Sequence, residues 1–149
     1  MLEDFSHQLS KCKEFELFTI NNIEGNLGVI EKSVNIPFEP KRTYFIYDVP
    51  GSSSRGGHAH KFLEQVFFCA KGSCRVKLYD VIGNQKTFFL NKPNQALYLP
   101  SMLWRELDQF SDDAIFVCCA SLEYDENDYI RSKNEFNNFF NKKWLNFLI

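Results

Sequence analysis

No two cysteines stand in a CxxC spacing, and the five present (Cys12, Cys69, Cys74, Cys118 and Cys119) are odd in number and lie mostly within apolar runs. A zinc ribbon or paired redox motif is therefore not indicated, and the pattern fits small buried hydrophobes of a reduced cytosol. There is no GxGxxG and no P-loop, the glycine-rich segments that cradle dinucleotides and triphosphates. No apolar run approaches the ~20 residues of a membrane span. The first residues, Met1 to His7, are polar and acidic and do not read as a signal peptide, so the expectation is a soluble, cytoplasmic protein. Excess charge of either sign is missing too: 17 Lys and Arg stand against 19 Asp and Glu, a net charge of -2. That argues against a duplex nucleic-acid binder or a membrane-surface protein, while a phosphate site, which needs only a few local cations, stays open.

Aromatic residues are abundant. Sixteen Phe, six Tyr and two Trp make up 16% of the 149 residues, a composition suited to a β-rich interior. The length predicts one domain over 1–149 with a substantial core. Residues 1–14 read as a polar arm. Strand patterns follow at 15–20, 27–31, 42–49, 65–70, 73–80, 85–90, 96–99, 104–107 and 114–121, separated by Pro, Gly and Asn turn signals. Short strands at near-regular spacing predict a β-sandwich or small barrel. At the end the period changes: Tyr129, Ile130, Phe136, Phe139, Phe140 and Trp144 approximate a helical stripe, giving an expected helix over about 126–147 with Asp125 or Asn127 as cap.

Only three histidines occur, and two of them sit one residue apart in Arg55-Gly56-Gly57-His58-Ala59-His60-Lys61. In a strand, side chains alternate between faces, so His58 and His60 share one face. Two imidazoles side by side are either two legs of a metal site or a proton-handling pair. Glu64, on the same parity, is a candidate to orient an imidazole or to make a plain structural hydrogen bond.

The order His58-x-His60-x3-Glu64-x7-Gly72 resembles the first signature of the cupin jelly-roll barrel, one residue longer in its last gap. Pro100-Ser101-Met102-Leu103-Trp104-Arg105 is similar to the second signature, with Met102 in place of its glycine and Arg105 in place of its metal-binding histidine. A permanent guanidinium repels a divalent cation and does not deprotonate to become a ligand, which disfavours a metal cupin. A longer string resembles the nucleotide-sugar 3,4-ketoisomerases, which act on dTDP-4-keto-6-deoxy-D-glucose. It comprises Asn35 to Phe38, Lys41-Arg42-x-Tyr44, Arg55-Gly56-x-His58-Ala59-His60-Lys61, Leu63 to Val66, Gly72 to Val76, Trp104-x-Glu106, and Tyr124-Asp125-Glu126-x-Asp128-Tyr129-Ile130-Arg131.

The resemblance implies an all-β cupin jelly-roll barrel with a C-terminal helix, no cofactor and no metal. Its substrate would be a dTDP-linked 4-keto-6-deoxyhexose, and its assembly a homodimer that exchanges an N-terminal strand, here 15–20. It implies His58 as base at C3, His60 as relay, and Tyr44 as a catalytic donor with Arg105 beside the sugar oxygens. Arg42 and Arg55 would hold the diphosphate, and Glu64, Asp128 and Tyr129 join them as substrate-side candidates; 124–131 reads equally as a helix cap with an acidic face. Arg105 sides with members whose product has the gluco configuration at C4. The product would feed aminotransferases that make 3-amino-3,6-dideoxy sugars for surface glycans such as lipopolysaccharide O-antigen. Rival readings are a dTDP-sugar 3,5-epimerase, a non-catalytic nucleotide-sugar-binding cupin, and a metal-dependent cupin oxygenase.

Overall fold

A computed structural model describes residues 5–145, with side chains to residue 139. A 3-10 turn (Phe5–His7) and a single helical turn α1 (Gln8–Lys11) open the described chain. Twelve strands follow: β1 (Lys13–Glu16), β2 (Phe18–Asn22), β3 (Gly25–Val29), β4 (Arg42–Tyr47), β5 (Arg55–His60), β6 (Gln65–Lys71), β7 (Cys74–Tyr79), β8 (Gln85–Leu90), β9 (Gln95–Leu99), β10 (Trp104–Asp108), β11 (Ile115–Ala120) and β12 (Tyr129–Ile130). Helix α2 (Lys133–Leu145) closes it. Two five-stranded sheets, β1-β9-β6-β11-β4 and β12-β5-β10-β7-β8, face each other, and β2 and β3 form a separate hairpin. This double-sheet arrangement is a jelly roll.

Alternation builds the barrel. Along β7, Cys74, Val76 and Leu78 are buried while Arg75, Lys77 and Tyr79 face outward, where Arg75 donates two hydrogen bonds of 2.7 Å to Asp108 on β10. The inward rows of both sheets merge in one core that includes Phe67, Val76, Leu78, Leu97, Leu107 and Phe116. Fully burying each such side chain contributes about 1.5–3 kcal/mol. Outside the first sheet, Leu17, Ile36 and Phe38 pack over Val66, Ala96 and Cys119. Outside the second, Phe136 of α2 packs with Trp104, Met102 and Ile130.

Three boundaries differ from the expectations. The arm at 1–14 already enters β1 at Lys13, which pairs with β9 of the same chain. The single strand expected at 15–20 is two strands, because Leu17 turns inward (5% exposed) and its N–H bonds the Asn94 carbonyl at 2.7 Å. The helix begins at Lys133 rather than near 126. Asp125 caps a 3-10 turn (Glu126–Asp128) through Asn127 N–H at 2.9 Å, and Tyr129 and Ile130 then pair with His60 and Ala59 as β12. Ser132 starts the helix instead, its Oγ accepting from Glu135 N–H. Residues 146 and 147 of the expected helix lie outside the described residues.

Candidate active site

The barrel opens at one end into a cleft of about 500 Å³ between β4, β5, β10 and β12. Inward residues of β4 (Arg42, Tyr44, Ile46) form one wall, and Arg55, Gly56 and His58 of β5 another. Arg105 and Leu107 of β10 and Phe67 of β6 line it too, and Tyr129 and Arg131 stand at the β12 side.

The approach of β5 to β10 depends on a glycine. Gly56 has φ +84°, and a Cβ there would lie 2.8 Å from the Arg105 carbonyl oxygen. The ladder shifts register between Arg105 and Glu106, and Arg105 is left opposite His58. Met102, which stands where the second signature has glycine, keeps a glycine-like φ of +58° and is fully buried. The turn geometry survives although the residue does not, at the steric cost that a side chain has in this region.

His58 and His60 do share a face. Their rings lie 5.0 Å apart and perpendicular, and Tyr129 contacts both, at 5.0 and 4.3 Å. They are not equivalent, however. His58 lines the cleft, whereas His60 lies behind it with no exposed surface. The Nδ1 of His60 is 2.9 Å from Asp128 Oδ2, and the other Asp128 oxygen accepts from Phe62 N–H at 2.8 Å. The carboxylate therefore fixes the proton on Nδ1 and leaves Nε2, which has no partner among the described residues, as a lone pair. Burial, and next the Arg105 charge, push the His58 pKa down to about 4. The same causes, in the same order, hold His60 well below its ordinary value. Both imidazoles are neutral at physiological pH.

Arg105 is 1% exposed, and none of its three guanidinium nitrogens has a hydrogen-bond partner among the described residues. Burial lowers its pKa to about 10, so it stays charged at neutral pH. Nε and Nη2 of Arg42 are likewise buried and unpartnered, with the guanidinium over the rings of Tyr44 and Tyr124 at 5.6 and 5.5 Å. Burying a guanidinium without partners is costly, so these donors call for oxygen acceptors that the described side chains do not supply. Tyr44 is a neutral phenol, its pKa raised chiefly by burial.

Of the nine residues expected at the site, six line the cleft: Arg42, Tyr44, Arg55, His58, Arg105 and Tyr129. His60 touches them from behind. Asp128 faces His60 and the Phe62 N–H rather than the cleft, which makes it the support of an imidazole. Glu64 departs furthest: its carboxylate accepts from Tyr98 Oη and is not beside the imidazoles. The chain bends at 61–62 in the connection between β5 and β6, which resets the side-chain parity, and Glu64 leaves on the outer face with Val66. Arg131 was missed, although it ends the Tyr124-to-Arg131 string. It stacks 4.2 Å over the Tyr129 ring and pairs with Glu126 through Nη2 at 2.8 Å.

The jelly roll with its HxH strand crossing the open end is a cupin barrel. A family model described as FdtA: WxcM-like, C-terminal, matches residues 10–141, and the chain belongs to that family. A TDP-4-oxo-6-deoxy-α-D-glucose-3,4-oxoisomerase from Aneurinibacillus thermoaerophilus is 45% identical over 119 residues, 79% of this chain and 84% of the relative. A 3,4-ketoisomerase from Helicobacter canadensis superposes with a TM-score of 0.83 at 41% identity, over 87% of this chain and 97% of that one. A mutant of the 3,4-ketoisomerase QdtA from Thermoanaerobacterium thermosaccharolyticum, in complex with TDP-4-keto-6-deoxyglucose, gives 0.84 at 34%, over 90% and 96%. Among the described residues, no helix is long and apolar enough to cross a membrane.

Proposed function

We propose that this protein is a sugar 3,4-ketoisomerase that converts dTDP-4-keto-6-deoxy-D-glucose to its 3-keto isomer. The observation that carries the reading is one neutral imidazole in the cleft facing a buried, unpartnered guanidinium. The first can take a carbon-bound proton and the second can stabilise the oxyanion that results.

His58 removes the proton from C3, and the electron pair flows toward the C4 carbonyl to give an enediolate. Arg105 and the Tyr44 hydroxyl stabilise the charge on the oxygens. The C3 hydroxyl gives up its proton as the C4 oxygen gains one, and C4 receives a proton on carbon. The net change is a ketone moved by one carbon, with no oxidant or reductant. His60, held by Asp128, takes part in the proton's return as a relay, its Nε2 lone pair accepting a proton before giving it up. Arg42 and Arg55, with Arg131, face the diphosphate. Arg105, on the sugar side, favours the gluco configuration at C4.

The reading extends to a cytoplasmic homodimer that supplies 3-keto sugars for amination, on the way to surface glycans. The β2–β3 hairpin supports the dimer: among the described residues it pairs only with itself, and it leaves Phe18, Ile20 and Leu27 about half exposed (55%, 49% and 56%). A second subunit is a natural cover for such a patch.

The test is to incubate EDTA-treated protein with dTDP-4-keto-6-deoxyglucose in heavy water and follow the sugar by NMR. A C3 ketone with deuterium at C4 is expected, and the couplings at C4 give the configuration. Exchange at C3 and C5 with the ketone unmoved would make the protein an epimerase, and binding without change would make it a silent binder.

A further inference from the structure

Gln65 is a polar side chain in an apolar layer. It is 1% exposed, and its cross-strand neighbours are Leu99 on β9 and Ala120 on β11. Its amide Nε2 lies 3.2 Å from Tyr44 Oη and 3.2 Å from Cys118 Sγ, so its two N–H groups have two acceptors. Its Oε1 has no donor among the described residues. Burying an amide with an unsatisfied oxygen works against stability, and a hydrophobic side chain of the same length would pack there without that cost. Packing therefore does not account for this glutamine. What the amide does is define the Tyr44 hydroxyl.

We propose that Gln65 is a positioning residue for the isomerisation: by donating to Tyr44 Oη it occupies an oxygen lone pair and aims the phenolic proton at the substrate. The inference rests on the reading of Tyr44 as donor to the enediolate. A phenol can donate one proton and accept on its lone pairs, so fixing the acceptor side fixes the direction of the donor side. The accepted hydrogen bond also polarises the O–H group and strengthens what it donates. Cys118 stands directly opposite Tyr44 in the β11–β4 ladder. Its sulfur is a weak acceptor, so the hydroxyl turns from it to a substrate oxygen at little cost. Gln65 does not line the cleft and acts only through Tyr44.

The experiment is a double-mutant cycle with Gln65→Met and Tyr44→Phe, measuring kcat and KM for the 4-keto sugar alongside melting temperature. Gln65→Leu serves as a second apolar variant should the methionine variant fold poorly. The expected result is a fall in kcat of about tenfold for the Gln65 variants, equivalent to one lost hydrogen bond in the transition state. KM should be unchanged and the melting temperature equal or higher. In the Tyr44→Phe background the Gln65 change should have no further effect. Wild-type kcat in the folded Gln65 variants, or losses that multiply in the double variant, would overturn the inference while leaving the ketoisomerase reading intact. Undiminished kcat in Tyr44→Phe alone would instead remove Tyr44 from the reaction, and the role of Gln65 with it.

Discussion

At the scale of single residues, the cleft sets function against stability. Arg105 carries a charge in the interior with no hydrogen-bond partner among the described residues to offset its desolvation. Arg105→Met should therefore stabilise the ligand-free protein, by about 1–4 kcal/mol if it follows other replacements of buried ions by apolar groups. The same change should abolish turnover, which calorimetry and the NMR assay together would register. His58→Asn should lower kcat by about 10²–10⁴-fold, the range lost with a general base, while dTDP still binds. Asp128→Asn presents an amide to His60 Nδ1 and so favours the tautomer with its proton on Nε2. A loss in kcat with KM little changed is expected. The histidines also set a pH response. His58 titrates near pH 4 in the fold against 6.5 ordinarily, so its basic form persists in mildly acid solution. Between those values the unfolded chain takes up the proton that the folded chain refuses. The stability that His58 contributes is therefore complete above about pH 6.5 and lost progressively as pH falls toward 4, which denaturation midpoints measured across that window would reveal.

Elements position these residues by close approach and by interruption. The distance between β5 and β10 is the distance between His58 and Arg105, and Gly56 permits it. Gly56→Ala would place a methyl group 2.8 Å from the Arg105 carbonyl at φ +84°. The expected cost is about 1–3 kcal/mol of stability, seen as a lower melting temperature, with activity falling more steeply than the folded fraction. The turn before β12 works differently. Because Asp125 caps a 3-10 turn rather than the long helix, Asp128 reaches His60 and Tyr129 covers both imidazoles. A helix begun at 126 would leave the His60 edge of the sheet unpaired.

For the whole molecule, the hairpin of β2 and β3 is an element whose apolar side chains stay about half exposed among the described residues. If a second subunit covers it, light scattering should give twice the 17.5 kDa chain mass, and Phe18→Asp with Ile20→Asp should shift the protein to monomer. A monomeric wild type would remove the dimer.

The strand character of the middle of the chain and the shared face of His58 and His60 were legible in the sequence because each depends on neighbours within a few residues, and the guanidinium in place of a ligand histidine was legible through the resemblance of 100–105 to a family signature. Alternation at period two is a local property, and it holds as long as the strand is unbroken. It failed for Glu64, where the bend at 61–62 resets the parity and hands the carboxylate to Tyr98. Asp128 and Gln65 were beyond that reasoning for another reason. Their partners lie 68 and 21 residues away along the chain, and only the closing of the two sheets brings Asp128 to His60 and Gln65 to Tyr44. The sequence by itself determined which groups can move a proton. The tertiary structure decided which imidazole lines the cleft and which stands behind it, because burial and the direction of a hydrogen bond are properties of packed strands and not of their order in the chain.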